Sequence, residues 1–133
     1  MPEKKPPLEV SLVKEIVLTA HNDYRRVMEL VEQEPALVNA SWDWGGGDWE
    51  TPLGSAAHMG RRDIAEYLLA HGARLDLFAA AMLGKVEIVK TALTAFPEMK
   101  DVPGPHGIPL LVHAQQGGSA AIAVVEYLTS LGG

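Results

Sequence analysis

The sequence predicts an all-α fold built from short helix–turn–helix pairs, and three observations support this prediction. The 133-residue chain has no cysteine, so neither disulfides nor thiolate metal sites can shape it. Residues 51–76 carry the start, turn and stop signals of two consecutive helices. Similar apolar segments recur along the chain, beginning at Val27, Ile88 and Val124.

The clearest of these signals surround two short helices after residue 50. Thr51 can cap a helix that starts with proline, which lacks the N–H that a helix start leaves unpaired. Gly60 suits the turn that closes this helix, and Gly72 suits the end of the next one. Between them, residues 64–69 place their apolar side chains on one stripe. The segment is therefore predicted to form two helices, each with one apolar side.

This stretch resembles an ankyrin repeat. The family pattern is T-P-L-H-x-A-A, two variable residues, a glycine, and a second helix that ends in L-L-x-x-G-A. Residues 51–57 are TPLGSAA and residues 68–73 are LLAHGA, with Gly54 where the family has histidine. That histidine normally holds neighbouring loop backbone, so the loop before Thr51 is expected to be held differently. The resemblance implies an all-α ankyrin repeat solenoid of four helix–turn–helix repeats with β-hairpin-like loops.

The resemblance extends along the chain with uneven spacing. The second helices contain Val27, Ile64, Ile88 and Val124, separated by 37, 24 and 36 residues, around the ~33 of the family. We expect a flexible leader at residues 1–7, without a signal peptide or a membrane anchor. The repeats are expected at about residues 8–47, 48–74, 75–105 and 106–133. Because one spacing is short, the finger loop between the second and third repeats is predicted to be missing.

The resemblance also implies where a partner would bind. In the ankyrin family, the two variable residues of each repeat face a concave groove that contacts the partner. Here these pairs are His21-Asn22, His58-Met59, Met82-Leu83 and Gln115-Gln116. The central pairs are largely apolar and the outer pairs are polar, a distribution typical of a binding surface. The implied function is a non-enzymatic module that binds another protein.

Residues 41–50, SWDWGGGDWE, take the place of the finger hairpin between the first two repeats and hold all three tryptophans. The candidate partner-binding residues of this finger are Trp42, Trp44, Asp48, Trp49 and Glu50. Tryptophan is favoured at interface hot spots. In the other interpretation, the tryptophans fold onto their own hairpin as a local core. Both interpretations remain open at this point.

The sequence does not predict catalytic or metal-binding residues. The five histidines show neither H-E-x-x-H nor H-x-x-x-H spacing, so no metal site and no cofactor are expected. Ser55 lies in G-S-A and not in the G-x-S-x-G of a hydrolase. A second hypothesis is a small-ligand binder or a minor enzyme with a pocket between the Trp finger and His58. An enclosed cavity with convergent polar groups near Trp42 and His58 would favour it. A third hypothesis is an inert or regulatory fragment of a longer chain.

Charge and hydropathy limit the partners further. The net charge is −6, from 11 basic and 17 acidic residues. No basic patch indicates nucleic acid, no apolar run indicates a membrane, and we expect a cytoplasmic protein. Residues 120–125, AAIAVV, are strongly apolar for a terminal repeat. We expect part of this last helix to be exposed and to support weak self-association.

Overall fold

The computed structural model describes residues 5–132, and this part of the chain is mostly helical. Residues 5–9 precede the first helix without regular structure, and residues 1–4 of the expected leader lie outside the described residues. Eight α-helices follow one another in four consecutive pairs. They are α1 Val10–Thr19, α2 Tyr24–Gln33, α3 Pro52–His58, α4 Arg62–Ala70, α5 Leu77–Met82, α6 Val86–Ala95, α7 Leu110–Gln116 and α8 Ile122–Ser130.

The helices stack in two rows. The two helices of each pair contact each other, and the first helices of successive pairs form a continuous row from α1 through α3 and α5 to α7. In the second row, α2 contacts α4 and α6 contacts α8. Buried aliphatic side chains between the rows form the core. The predicted all-α stack is therefore confirmed. Within residues 5–132, no helix is both long and apolar enough to cross a membrane.

The local signals around α3 act as predicted. The Thr51 hydroxyl accepts the N–H of Gly54 at 3.0 Å, which caps the helix. Gly60 has a φ of 68°, which L-residues with a side chain rarely adopt. A Cβ at Gly60 would also lie 2.5 Å from the carbonyl oxygen of Gln116. Glycine at this turn thus allows the second helix pair to approach the fourth.

Ser55 has a structural role on the same helix. Its side chain is fully buried, and its hydroxyl donates to the backbone carbonyl of Val17 at 2.8 Å. Because Val17 belongs to α1, this hydrogen bond joins α3 to α1. A buried hydroxyl needs such a partner, so Ser55 is accounted for without chemistry.

The finger between the first two helix pairs is a β-hairpin, as predicted. Strands β1 Trp42–Asp43 and β2 Trp49–Glu50 pair antiparallel, with Trp42 opposite Glu50. The Asp43 carboxylate accepts the N–H groups of Gly45 and Gly47, which closes the hairpin loop. Residues 71–76, between α4 and α5, contain no strand. The predicted loss of the second finger is therefore also confirmed for the described chain.

The prediction that Met82 and Leu83 face the groove is corrected by the structure. Met82 is fully buried and Leu83 is 5% exposed, and both belong to the same core cluster as Leu68. Met82 is the last residue of α5 and Leu83 follows it as the C-cap. This helix has only six residues, and α3 contacts α7 past it. This approach of the neighbouring helices covers the end of α5. Both side chains are core residues and are not accessible to a partner.

Candidate functional site

Four side chains from separate parts of the chain converge beside the hairpin. They are His21 just after α1, Glu50 in β2, His58 at the end of α3, and His106 in the loop at residues 102–109 before α7. Each residue offers one atom that could bind a metal ion, and these four atoms lie within 4.8 Å of one another. We call this group the His–Glu cluster and this segment the 102–109 loop.

Glu50 lies at the centre of the cluster and is only 1% exposed. Its Oε1 is 3.3 Å from the Nε2 atoms of His21 and His106, and its Oε2 is 3.0 Å from the Nε2 of His58. Trp44 donates its indole N–H to Oε1 at 2.9 Å. A buried carboxylate is costly unless polar or charged groups surround it. The fold supplies such groups from four directions.

These neighbours determine the charge of the cluster. Burial by itself would raise the pKa of Glu50, but the close contacts with His21, His58 and Trp44 outweigh it and hold this pKa well below its ordinary value. The contact with Glu50 in turn raises the pKa of His21, against the effect of burial. The centre of the cluster is therefore a carboxylate that favours positive charge around it.

The contacts between the imidazoles and the carboxylate are short but poorly directed for hydrogen bonding. Glu50 Oε2 and His58 Nε2 are buried, and neither has a hydrogen-bond partner within the described residues, although they are 3.0 Å apart. Leaving a buried polar atom unpaired costs about 1–3 kcal/mol. Two such atoms facing each other are therefore an unusual feature that needs an explanation.

Contacts outside the cluster fix the directions of two imidazoles. The Nδ1 of His106 lies 2.6 Å from Asp48 Oδ2, and the backbone N–H of His106 donates to Asp48 Oδ1 at 2.7 Å. The Nδ1 of His21 lies 2.9 Å from the backbone carbonyl of Leu18. Since these partners can only accept, each Nδ1 carries the proton. The Nε2 atoms of both rings are thereby left to face Glu50.

The glycine that departs from the ankyrin pattern lies directly against this site. A Cβ at Gly54 would be 3.5 Å from Pro105 Cγ and 3.6 Å from Glu50 Cγ. A longer side chain in that direction would compete with both residues for space. Gly54 therefore leaves room for the 102–109 loop, and the chain before Thr51 is held through the contacts of Glu50.

The structure brings together some of the predicted site residues and separates others. His21, Trp44, Asp48, Glu50 and His58 meet in or beside the His–Glu cluster. The predicted residues that stay at the surface are Asn22, Trp49, Met59, Gln115 and Gln116. His106 is the member of the cluster that the sequence analysis missed. Its position could have been suspected because the 102–109 loop occupies the next finger position after the missing one.

The three tryptophans divide between the two interpretations. Trp42 and Trp44 are half-buried and pack against the core, as the local-core interpretation expects. By contrast, Trp49, which pairs with Asp43 in the hairpin, is 59% exposed. Of the three tryptophans, Trp49 is thus the one largely available to a partner.

The surface beside the hairpin contains an apolar cleft of about 340 Å³. Its lining residues are Leu8, Val10, Val13, Ser41, Trp42, Asp43 and Trp49. By contrast, the ligand-binding hypothesis places a pocket between the Trp finger and His58. The side chains of Glu50 and His106 lie between Trp44 of this finger and His58. The polar groups there converge on one another.

Comparison with known proteins agrees with the fold. The family model described as Ankyrin repeat matches residues 48–78. A protein of Rickettsia felis described as an ankyrin repeat protein is 39% identical over 71 residues, which are 53% of this chain. The match spans only 30% of that relative's length. Residues 48–78 are thus similar to an ankyrin repeat, and the stacked helix pairs agree with this similarity.

Proposed function

We propose that this chain is a non-enzymatic module that binds another protein through two neighbouring surfaces. One is the cleft between α1 and the hairpin, and the other is the groove around Met59. The observation that carries the proposal is the cleft between α1 and the hairpin. Val10 and Trp49 line it and are 67% and 59% exposed. Exposed apolar surface in a shaped cleft is typical of an interaction site. The partner would insert a bulky apolar side chain of a protein segment there.

The groove supplies a second, more polar contact surface. Met59 is 45% exposed at the end of α3. The turn that follows it packs against the backbone of Gln116, and Arg61 in this turn donates to the carbonyl of Asn22. The turns of the first, second and fourth helix pairs are therefore neighbours. An apolar side chain surrounded by polar groups matches the composition of protein interfaces.

The energies are adequate for specific recognition. Burying a side chain such as Met59 would contribute about 1.5–3 kcal/mol before ordering costs. A tryptophan anchor such as Trp49 can contribute more than ~2 kcal/mol. We further propose that each helix pair is one repeat unit and that the protein works in the cytoplasm. The lack of cysteine in the sequence is compatible with this setting.

The experiment starts from a partner captured by crosslinking with the full chain and then measures its binding to variants. Trp49→Ala and Met59→Ala should each weaken binding at least tenfold, equal to about 1.4 kcal/mol. Thermal melting should hardly change, because both side chains are largely exposed.

Phe96→Ala is the matched control, because Phe96 is also 59% exposed but does not line the cleft. It should bind the partner like the unmodified chain. Full binding by both Trp49→Ala and Met59→Ala would show that the interface lies elsewhere and would overturn the proposed surface.

A further inference from the structure

We propose that the His–Glu cluster is a binding site for one zinc ion, with the Nε2 atoms of His21, His58 and His106 and Oε2 of Glu50 as ligands. The inference rests on the cluster alone and is independent of the proposed partner surface. The fold assembles these four donors from residues far apart in the sequence.

The separations within the cluster suit a tetrahedral ion. Zinc binds nitrogen and oxygen ligands at about 2.0–2.1 Å, which places neighbouring ligands roughly 3.3–3.4 Å apart. In the cluster, the Nε2 of His58 lies 3.0 Å from Glu50 Oε2, and the Nε2 atoms of His21 and His106 lie 3.3 Å from its Oε1. One potential donor atom from each of the four residues lies within 4.8 Å of the other three. A small adjustment of the imidazole rings would therefore surround an ion.

The unpaired atoms favour a metal over a network of hydrogen bonds. Glu50 Oε2 and His58 Nε2 are both buried and lack hydrogen-bond partners within residues 5–132. A hydrogen-bond network would need an N–H directed from one atom to the other. A cation between them would instead accept a lone pair from each. One zinc ion would thus bind both of these unpaired atoms.

The surrounding contacts are those that orient metal ligands. Histidines bound to zinc commonly donate their other ring N–H to a carboxylate or a backbone carbonyl. Here His106 contacts Asp48 and His21 contacts the carbonyl of Leu18. Trp44 donates to Oε1 of Glu50 and leaves Oε2 as the free ligand atom. Three of the four proposed ligands are therefore fixed by neighbours before any ion binds.

The donor set also indicates the kind of site. Three imidazoles and one carboxylate suit zinc, and four protein ligands leave no open position for a substrate. The proposed role is therefore structural. The ion would join the hairpin to the 102–109 loop across the position of the missing finger. His106, whose side chain is 33% exposed, lies where an ion could enter.

The direct test uses the full chain, purified without a histidine tag and stripped of metal with a chelator. Titration with zinc chloride should show one equivalent bound, and elemental analysis should confirm it. Zinc should also raise the melting temperature, because an ion that binds the folded state stabilises it. Cobalt in place of zinc should give the intense visible absorption of a four-coordinate site.

Variants locate the ion. His106→Ala should weaken zinc binding at least a hundredfold, and Asp48→Asn should weaken it roughly 10–100-fold, as outer contacts of metal ligands do. The control is His71→Ala, because His71 is an exposed histidine at the end of α4 and contacts Tyr67, away from the cluster. It should bind zinc like the unmodified chain.

Two results would overturn the proposal. One is a metal-free chain that takes up no stoichiometric zinc while circular dichroism shows it folded. The other is zinc binding of equal strength in His106→Ala, which would place the ion elsewhere. Glu50→Gln offers a further check, but its core position can affect folding. The variants His106→Ala and Asp48→Asn therefore decide the outcome, because both side chains are partly exposed.

Discussion

The carboxylate of Asp48 accepts hydrogen bonds from the backbone N–H and from the ring Nδ1–H of His106, although the two residues are 58 positions apart in the chain. Oδ1 lies 2.7 Å from the backbone nitrogen of His106 and Oδ2 lies 2.6 Å from its Nδ1. Among the described residues, His106 is the only non-glycine with a positive φ, at 60°. Such a conformation persists when its surroundings determine it. The hairpin thus fixes the conformation of a loop that follows two helix pairs later.

Asp48→Ala should therefore loosen the 102–109 loop. Without the carboxylate, nothing on the hairpin accepts the His106 N–H, and the unfavourable backbone angle can relax. Hydrogen exchange, measured in the presence of a chelator, should become severalfold faster at residues 106–108 and stay unchanged in α4. Asp101→Ala serves as the control, since Asp101 is also an exposed acidic residue near this loop. Unchanged exchange in Asp48→Ala would contradict the prediction.

Met82→Ala should destabilise the protein by about 2–5 kcal/mol, as expected for a truncated core methionine. Met82 is fully buried. By contrast, Met59, which belongs to the corresponding variable pair of the second helix pair, is 45% exposed. Met59→Ala should change the free energy of unfolding by less than about 0.5 kcal/mol. Urea denaturation of the two variants measures both values. Equal stabilities would show that the end of α5 is not covered as the structure describes.

His113 should make the protein less stable in mild acid. Its ring is fully buried and contacts the carbonyl of Pro109 at 2.9 Å, and burial lowers its pKa below the ordinary value of 6.5. The unfolded chain therefore binds a proton at higher pH than the folded chain does. This contribution to stability is full above a pH of about 6.5 and is lost as the pH falls below it.

Comparison with His113→Gln isolates this effect from those of Asp76, Glu50 and His21, whose pKa values are also shifted in the folded chain. The free energy of unfolding, measured by urea denaturation across this pH range, should fall more steeply in the unmodified chain than in the variant. Parallel curves for the two proteins would show that His113 is protonated equally in the folded and unfolded states.

The last helix should support weak self-association. Ile122 is 53% exposed on α8, Leu131 is 38% exposed just after it, and no further repeat covers them within the described chain. Ile122→Glu would place a charge in such a contact and should abolish any dimer seen by sedimentation at high concentration. Glu126→Gln, a change at another exposed position of the same helix, is the control. A strict monomer at all concentrations would exclude the prediction.

The sequence by itself determined the local features of this protein. The cap at Thr51, the turn at Gly60, the finger hairpin and the missing second finger all follow from signals within a few residues or from repeat spacing. Such features depend on backbone conformation and on side chains near in sequence, which a pattern can specify. The stacking of amphipathic helices followed in the same way, because each helix has one apolar stripe to bury.

Only the tertiary structure decided which of these side chains are accessible and which meet. Met82 and Leu83 carry the pattern of groove residues, but α5 is so short that α3 reaches α7 and covers them. The His–Glu cluster joins positions 21, 50, 58 and 106, whose sequence separations show no ligand spacing. Their meeting depends on the path of the 102–109 loop past the missing finger and beside Gly54. Contacts of this range arise from the packing of whole repeats, which no local pattern encodes.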